Sequence, residues 1–178
     1  MKFIAILVVL VAIVGGVVVV VYGMITPVVI VDQPIAFNHA LHLTDAGLEC
    51  LDCHTDAKVR RYAGLPGKDM CYECHDPEDI AEQIEEDGRV HPELTKLISY
   101  ADADGDLPWK RVAVTVPDVF FSHRRHVQAA GLDCLECHPA QPKRRAPPRT
   151  AELVMTMDDC LACHERSTVT SDCLACHR

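Results

Sequence analysis

The chain has 178 residues, ten of them cysteine, and a formal net charge of −9. This acidic balance argues against nucleic acid as a partner, because phosphate backbones select basic surfaces. Ten cysteines in so short a chain are typical of disulfide scaffolds or zinc sites, so their spacing has to decide the class of protein.

The first thirty-one residues predict a membrane anchor. Phe3 to Val21 contains no charged residue, and the apolar run continues to Val31. This run is longer than the core of a signal peptide, has no small-residue cleavage pattern, and is long enough to cross a bilayer as a helix. Lys2 is the only flanking positive charge and favours a cytoplasmic N-terminus. We expect an uncleaved anchor over residues 1–31; the alternative is an unusually long cleaved signal peptide.

The cysteines form five C-x-x-C pairs, and a histidine follows each pair directly. In chain order, site one is Cys50, Cys53 and His54, site two is Cys71, Cys74 and His75, site three is Cys134, Cys137 and His138, site four is Cys160, Cys163 and His164, and site five is Cys173, Cys176 and His177. A zinc or disulfide interpretation leaves the five histidines unexplained. C-x-x-C-H is the attachment motif of c-type haem, in which the thiols add to the vinyl groups and the histidine becomes an axial iron ligand. The sequence therefore predicts five covalently attached haems.

Five haems leave little polypeptide for a core of its own. Beyond the anchor roughly 145 residues remain, about thirty per haem, which is below the size at which a chain builds a sufficient core without metals or cross-links. The predicted fold is a mostly irregular and α-helical multihaem cytochrome c with one N-terminal transmembrane helix, in which the haems form the core.

An internal duplication divides the soluble part. The segment Phe37-Asn-His39-Ala-Leu-His42 and site one recur as Phe121-Ser-His123-Arg-Arg-His126 and site three, with every element displaced by 84 residues. This repeat predicts a dihaem half at 32–100, a connector at 101–116 and a trihaem half at 117–178.

The duplicated histidines are candidate distal ligands. A lone histidine on an apolar face is usually a core residue, but a pair three residues apart on a helix shares one face. We expect His39 and His123 to serve the first haem of each half, and His42 and His126 to serve a neighbouring haem, the second of each half.

The haem of site five still needs a distal ligand. His91 could cross from the first half, or Met157 could bind, with Met155 as a nearby alternative. Core packing is the ordinary role of a methionine, whereas a thioether ligand would raise the haem potential relative to two imidazoles. We favour Met157; His91 is otherwise a loop residue before a proline or a partner of a haem propionate.

Four stretches between the motifs carry local signals. Ile80 and Ile84 in the acidic segment after site two predict a short surface helix that ends at Gly88. A second helix is expected after His91, and an extended segment after Trp109. The basic loop at 139–149 suits either pairing with propionates or docking on an acidic partner.

The F-x-H-x-x-H segment followed by C-x-x-C-H resembles the class III multihaem cytochromes. Pro108-Trp-Lys-Arg-Val and Met155-Thr-Met157 before site four are similar to the pentahaem, membrane-anchored subunit of alternative complex III, a quinol-oxidising assembly. That resemblance implies one transmembrane helix, five haems and a ligand role for Met157. Two departures are His91, which has no counterpart in the family pattern, and the strongly basic Lys143-Arg-Arg145 loop.

These features predict an electron-transfer subunit without catalysis of its own. It would relay electrons from a quinol-oxidising complex to a periplasmic acceptor, anchored in the bacterial cytoplasmic membrane with its haems on the outer face. Its partners would be the membrane, the other subunits of that complex and the acceptor. The alternatives are a multihaem reductase of a small oxyanion, which needs an iron with an open position, a haem wire of another respiratory or photosynthetic complex, or a unit of an extracellular haem polymer.

Overall fold

The computed structural model describes residues 2–25, 29–88 and 90–177. The chain divides into two compact units, Met1–Ile30 and Val31–Arg178. The first unit contains helix α1 (Lys2–Ile25), whose described apolar side chains from Phe3 to Val21 are exposed. Over the side chains that the structure describes, no helix is both long and apolar enough to cross a membrane. The predicted anchor includes 26–28, which lie outside the described residues, and it stays a prediction.

The second unit consists of short helices and turns joined by irregular segments. Its α-helices are α2 (His39–Thr44), α3 (Cys50–Cys53), α4 (Lys68–Tyr72), α5 (Pro77–Asp87), α6 (Pro92–Ile98), α7 (Met157–Arg166) and α8 (Cys173–Cys176). The described chain has four further helical turns. Three are 3₁₀ turns, at Thr55–Lys58, Cys134–Glu136 and Gln141–Lys143, and one is a π-helical turn, at Arg124–Ala129. Strands β1 (Ala113–Val114) and β2 (Glu152–Leu153) pair in parallel, with Ala113 opposite Glu152. The predicted mostly helical and irregular architecture is confirmed.

Helix boundaries follow from local capping. Asp76 caps α5 by accepting hydrogen bonds from the first backbone N–H groups, and Pro77 occupies the first turn, where its missing N–H costs nothing. The helix ends at Gly88, whose φ of 60° is left-handed, as the sequence predicts. At α7 the side chains of Thr156 and Asp159 each bond to the other's backbone N–H.

The polypeptide core is small. The buried apolar residues of the described chain are Ile35, Ala57, Ile80, Leu97, Leu107 and Val112. Ile35, Leu97 and Leu107 form one cluster, against which Tyr72 and Trp109 pack. No described side chain is less than 2% exposed, which is unusual for a unit of this length. The core is as thin as expected of a chain that folds around prosthetic groups.

The two copies of the repeat pack against each other reciprocally. The backbone N–H of Ala40 donates to the carbonyl of Arg144 at 3.0 Å, and that of Arg124 donates to the carbonyl of Arg60 at 3.1 Å. Ala40 and Arg124 occupy equivalent positions of the repeat, and so do Arg60 and Arg144. Each copy therefore gives the other the contact that it receives, as at an isologous interface.

Candidate haem sites

Each C-x-x-C-H motif lies on a short helical turn. Sites one and five occupy α3 and α8, site two spans the end of α4, site three lies on the 3₁₀ turn Cys134–Glu136, and site four lies within α7. Helical spacing directs thiols three residues apart to the same side of the turn. All ten thiols are free, as thioether attachment requires.

The structure brings together four pairs of imidazole rings, each joining a motif histidine to a histidine of the repeat. The ring centroids are 6.5 Å apart for His39 and His54, 6.1 Å for His42 and His75, 6.4 Å for His123 and His138, and 6.2 Å for His126 and His164. The ring planes are nearly parallel at sites one and three, at 9° and 11°, and inclined at sites two and four, at 73° and 41°. These are the pairs that the duplicated spacing predicts.

The separation of the rings fits one iron between them. Two metal–imidazole bonds of about 2 Å each, with about 1.1 Å from each bonding nitrogen to its ring centre, place the centroids about 6.3 Å apart. The centroids of two directly stacked rings would lie closer together than this. Two imidazoles joined by a hydrogen bond would need a proton between their facing nitrogens. The residues present therefore fit a haem held from both faces, although ligation at these sites stays a prediction.

A phenylalanine orders each distal pair. The ring of Phe37 meets His39 edge-on at 4.8 Å and stacks on His42 at 4.3 Å. Phe121 repeats both contacts with His123 and His126, at 4.9 Å and 4.6 Å. One aromatic side chain thus fixes the orientation of two candidate ligands that serve different sites.

Backbone carbonyls fix the tautomer of most of the candidate ligands. The Nδ1 atoms of His42, His54, His123, His126, His164 and His177 lie 2.7–3.1 Å from the carbonyl oxygens of Asn38, Gly64, Arg61, Ser122, Thr170 and Asp118 respectively. A carbonyl can only accept, so in each case Nδ1 is the donor, and the Nε2 lone pair of the neutral ring is free to bind a metal. Such partners also hold the ring in position.

Burial keeps several of these rings neutral. It lowers the pKa of His39 to about 4, with smaller effects from His54, Arg144 and His42. Burial is also the main cause that lowers the pKa of His75, His123 and His138. A neutral imidazole is the form that coordinates iron.

Two buried donors beside site one have no partner. The Nδ1 of His39 and the Nε of Arg144 are both buried without a hydrogen bond. Buried polar atoms are nearly always paired, so these two indicate an acceptor that completes the site. A haem brings two propionate carboxylates, and such a group suits both donors, which agrees with one of the two roles predicted for the basic loop. Another nitrogen of Arg144 pairs with Glu152 at 2.8 Å.

Site five differs from the other four. His177 is held by the carbonyl of Asp118 at 3.1 Å, and the carbonyl of Cys176 accepts from the N–H of Phe120 at 2.7 Å. Among the described residues, no second imidazole stacks opposite His177. His91 instead caps α6, with its Nδ1 accepting the N–H of Glu93 at 3.2 Å.

Met157 is the half-buried first residue of α7, the helix that carries Cys160. The thiol of Cys160 in this helix has the Cys176 thiol of site five as a neighbour. Site five therefore adjoins the helix of Met157. Met155 is half-buried in the segment between β2 and α7.

Two kinds of residue escaped the sequence interpretation. The carbonyl acceptors carry no side-chain signal and depend on how the loops fold. Phe37 and Phe121 carry a sequence signal for this contact, because a phenylalanine stands two residues before the first histidine of the pair in each copy of the repeat.

Comparison with known proteins identifies two kinds of similarity. The family model described as cytochrome c7 and related cytochrome c matches residues 35–90 and 119–178. The multihaem cytochrome c subunit of a menaquinone reductase from Nitratidesulfovibrio vulgaris (strain Hildenborough) is 34% identical over 108 residues, which is 60% of this chain and 46% of that protein. The match thus spans less than half of the relative's own length.

Proposed function

The chain belongs to the family of cytochrome c7 and related cytochromes c, and from this we propose that it binds five covalent haems and relays single electrons for a membrane quinone-linked complex. A c-type haem with two axial ligands takes up and gives back one electron at its iron without changing those ligands. The protein supplies the attachment thiols, the axial nitrogens and the surroundings that tune them.

One observation carries this proposal: the four imidazole pairs at 6.1–6.5 Å. A reductase of a small oxyanion needs an iron with one face open to substrate. At sites one to four a pair of imidazoles would hold a haem from both faces, and the Nδ1–carbonyl bonds of five of these eight histidines leave the Nε2 lone pair free to bind. This arrangement suits electron transfer and disfavours substrate chemistry.

We propose Met157 as the distal ligand of site five. It begins the helix that adjoins this site, whereas Nδ1 of His91 is engaged as an acceptor. A neutral imidazole whose Nδ1 accepts must carry its proton on Nε2, which then has no lone pair for iron. The near-infrared charge-transfer band of methionine–iron ligation should be present in the wild type and absent from Met157→Leu. Met155→Leu is the matched control and should retain it.

The proposed partners are the other subunits of a quinol-oxidising complex and a periplasmic electron acceptor. Oxidation of a quinol to a quinone releases two electrons and two protons, and this chain would take the electrons one at a time. Support comes from the resemblance to the pentahaem subunit of alternative complex III and from the quinone-linked name of the curated relative.

A second candidate runs the electrons in the opposite direction. The relative is named as part of a menaquinone reductase, which favours delivery of electrons to a quinone. Rapid mixing of the oxidised complex with a quinol, and of the reduced complex with a quinone, separates the two directions. Fast haem reduction by quinol supports the first candidate, and fast haem oxidation by quinone supports the second.

We propose that residues 1–31 anchor the chain in the bacterial cytoplasmic membrane, with the haem-bearing unit on the outer face. The support is the uncharged run from Phe3 to Val21 and its exposed apolar side chains on α1, since exposed apolar surface of this extent favours a lipid environment. Release by detergent but not by high salt or carbonate is the expected result. Release by salt alone would contradict the anchor.

Carbon monoxide tests the relay itself. It binds ferrous haem only at an open axial position, so the reduced protein should keep its visible spectrum when the gas is added. Clear binding at one haem under native conditions would overturn the relay and favour the reductase.

A further inference from the structure

We infer that the five attachment sites form one row in the order two, one, three, four, five, so that sites two and five are its ends. The inference rests on the proposed function, because it concerns where such a relay begins and stops. The order differs from the order of the motifs in the chain, and it follows from four junctions between neighbouring sites.

The junction of sites one and two is built on helix α2. His39 faces the histidine of site one and His42 faces that of site two, and both are held by Phe37. Because the two ligands are three residues apart on one helix, their sites must be neighbours. The thiols agree, because that of Cys53 in site one and that of Cys74 in site two are neighbours.

The junction of sites three and four repeats this arrangement in the second copy. His123 faces site three and His126 faces site four, with Phe121 between them. The thiol of Cys137 in site three has both thiols of site four as neighbours. The duplicated unit therefore links two sites each time it occurs.

The central junction joins sites one and three. The reciprocal hydrogen bonds from Ala40 to Arg144 and from Arg124 to Arg60 relate the copies by a pseudo-twofold axis. A residue on such an axis meets its own counterpart. Cys50 and Cys134 are counterparts, and their thiols are close neighbours.

The central junction has a further link through the ligands. The N–H and the Nδ1 of His123 both donate to the carbonyl of Arg61, at 2.9 Å and 3.1 Å. Arg61 belongs to the first copy and lies between sites one and two in the chain. A backbone group of one half thus positions the candidate ligand of site three in the other half.

Site five extends the row beyond site four. Its Cys176 adjoins Cys160 of site four, and the carbonyl of Thr170, in the segment between the two motifs, accepts from His164 at 2.7 Å. Site five has no counterpart in the first half. The symmetric array two-one-three-four is therefore extended by one site, beyond site four only. Partners that exchange electrons with this chain would meet it at sites two and five.

The order can be tested on the full-length holoprotein by paramagnetic NMR during a redox titration. The variants His39→Met, His42→Met, His123→Met and His126→Met each raise the potential of one site, which becomes ferrous and diamagnetic first. Each variant also replaces the haem-methyl signals of its own site and so assigns them, which leaves site five by elimination. Reduction at a site shifts the signals and midpoints of its neighbours most strongly, because the interaction falls with distance.

The row predicts specific neighbours. His39→Met should shift sites two and three, His126→Met should shift sites three and five, and His42→Met should shift site one alone. A stronger effect of site two on site three or four than on site one would overturn the order. If a variant loses its haem, the titration of the wild type still tests the row, because it counts how many strongly interacting neighbours each site has. In a row of five, three sites must have two such neighbours and two sites must have one.

The test separates this inference from the relay on which it rests. Five reversible one-electron sites coupled in another order would overturn the row and leave the relay intact. Carbon monoxide binding would overturn the relay without altering which sites are neighbours.

Discussion

At the scale of single residues, the two nitrogens of histidine distinguish ligands from structural side chains. Six histidines donate from Nδ1 to a carbonyl and so present an unprotonated Nε2. His91 does the reverse, because its Nδ1 accepts from the N–H of Glu93. The sequence predicts all ten histidines as possible ligands; for the seven rings with a hydrogen-bond partner, that partner separates six candidate ligands from one helix cap.

Replacement of His91 by alanine should therefore leave every haem spectrum unchanged. It should reduce the free energy of unfolding by about 0.5–1 kcal/mol, the usual worth of a helix cap. Visible spectra and denaturant titration measure the two effects. His91→Asn keeps a capping acceptor and should restore most of the stability. A new high-spin haem signal in His91→Ala would instead identify His91 as a ligand.

Arg144 makes a second prediction at this scale, because its unpaired Nε lies beside site one. A cation near the iron favours the ferrous state. Arg144→Gln should lower the midpoint of site one by some tens of millivolts, roughly the effect of removing one partly screened charge nearby. Arg145→Gln is the matched control, since Arg145 is exposed, and it should change the midpoint much less. Spectroelectrochemical titration of both variants makes the comparison; equal shifts would contradict the role of Arg144.

At the scale of elements, spacing predicted which side chains share a face but not the backbone that carries them. The first histidine pair lies on the α-helix α2, whereas the second lies at the start of a π-helical turn. The ring contacts are nevertheless almost the same in both copies. The two predicted helices, one after site two and one after His91, are confirmed as α5 and α6. They could be predicted because Asp76, Gly88 and Pro92 are strong local boundary signals.

Helix α6 is fastened to the segment before α2 by Glu93, which accepts the N–H of Ala36 at 2.6 Å and pairs with Lys96 at 2.7 Å. Partial burial of Glu93 would raise its pKa, but these hydrogen bonds outweigh burial and hold the pKa below 4.5. The carboxylate form is thus favoured by folding. The contribution of the Glu93 carboxylate to the free energy of unfolding is complete above about pH 4.5. It is lost as the pH falls through the pKa of the folded protein.

Glu93→Gln should therefore be less stable than the wild type near neutral pH, by about 1 kcal/mol, and the difference should shrink as the pH falls below 4.5. Denaturant unfolding at a series of pH values measures the difference. Glu85→Gln, on the exposed face of α5, controls for the loss of a charge. A gap that widens in acid would contradict this account.

At the scale of the whole molecule, spacing predicts the histidine pairs, whose rings the structure brings together, and it predicts haem attachment at the five C-x-x-C-H motifs, which stays a prediction. The order of the sites could not be predicted, because it depends on how the two copies pack. Ala40 and Arg124 donate to the other copy through backbone N–H groups, which leave no trace in residue type. The thin core around Leu97 and Leu107 was predicted only in general terms, from the small number of residues per haem.

The position of a site in the row should decide what its loss costs. Cys173→Ser with Cys176→Ser removes an end site and should leave four haems and a folded protein. Cys134→Ser with Cys137→Ser removes a central site, whose neighbours on both sides then lose packing, and should give a chain that proteases degrade. Pyridine haemochrome analysis and limited proteolysis distinguish the two outcomes. Equal tolerance of both losses would contradict a central place for site three.

The exchanged hydrogen bonds between the two copies of the repeat also bear on its ancestry. An ancestor with one unit, carrying one histidine pair and two attachment motifs, could have formed a symmetric dimer through the same two contacts. Fusion of two such genes would join the subunits through the connector at 101–116 and free each copy to diverge. Arg61 and its counterpart Arg145 record that divergence, since only Arg61 accepts a bond from the other copy's histidine.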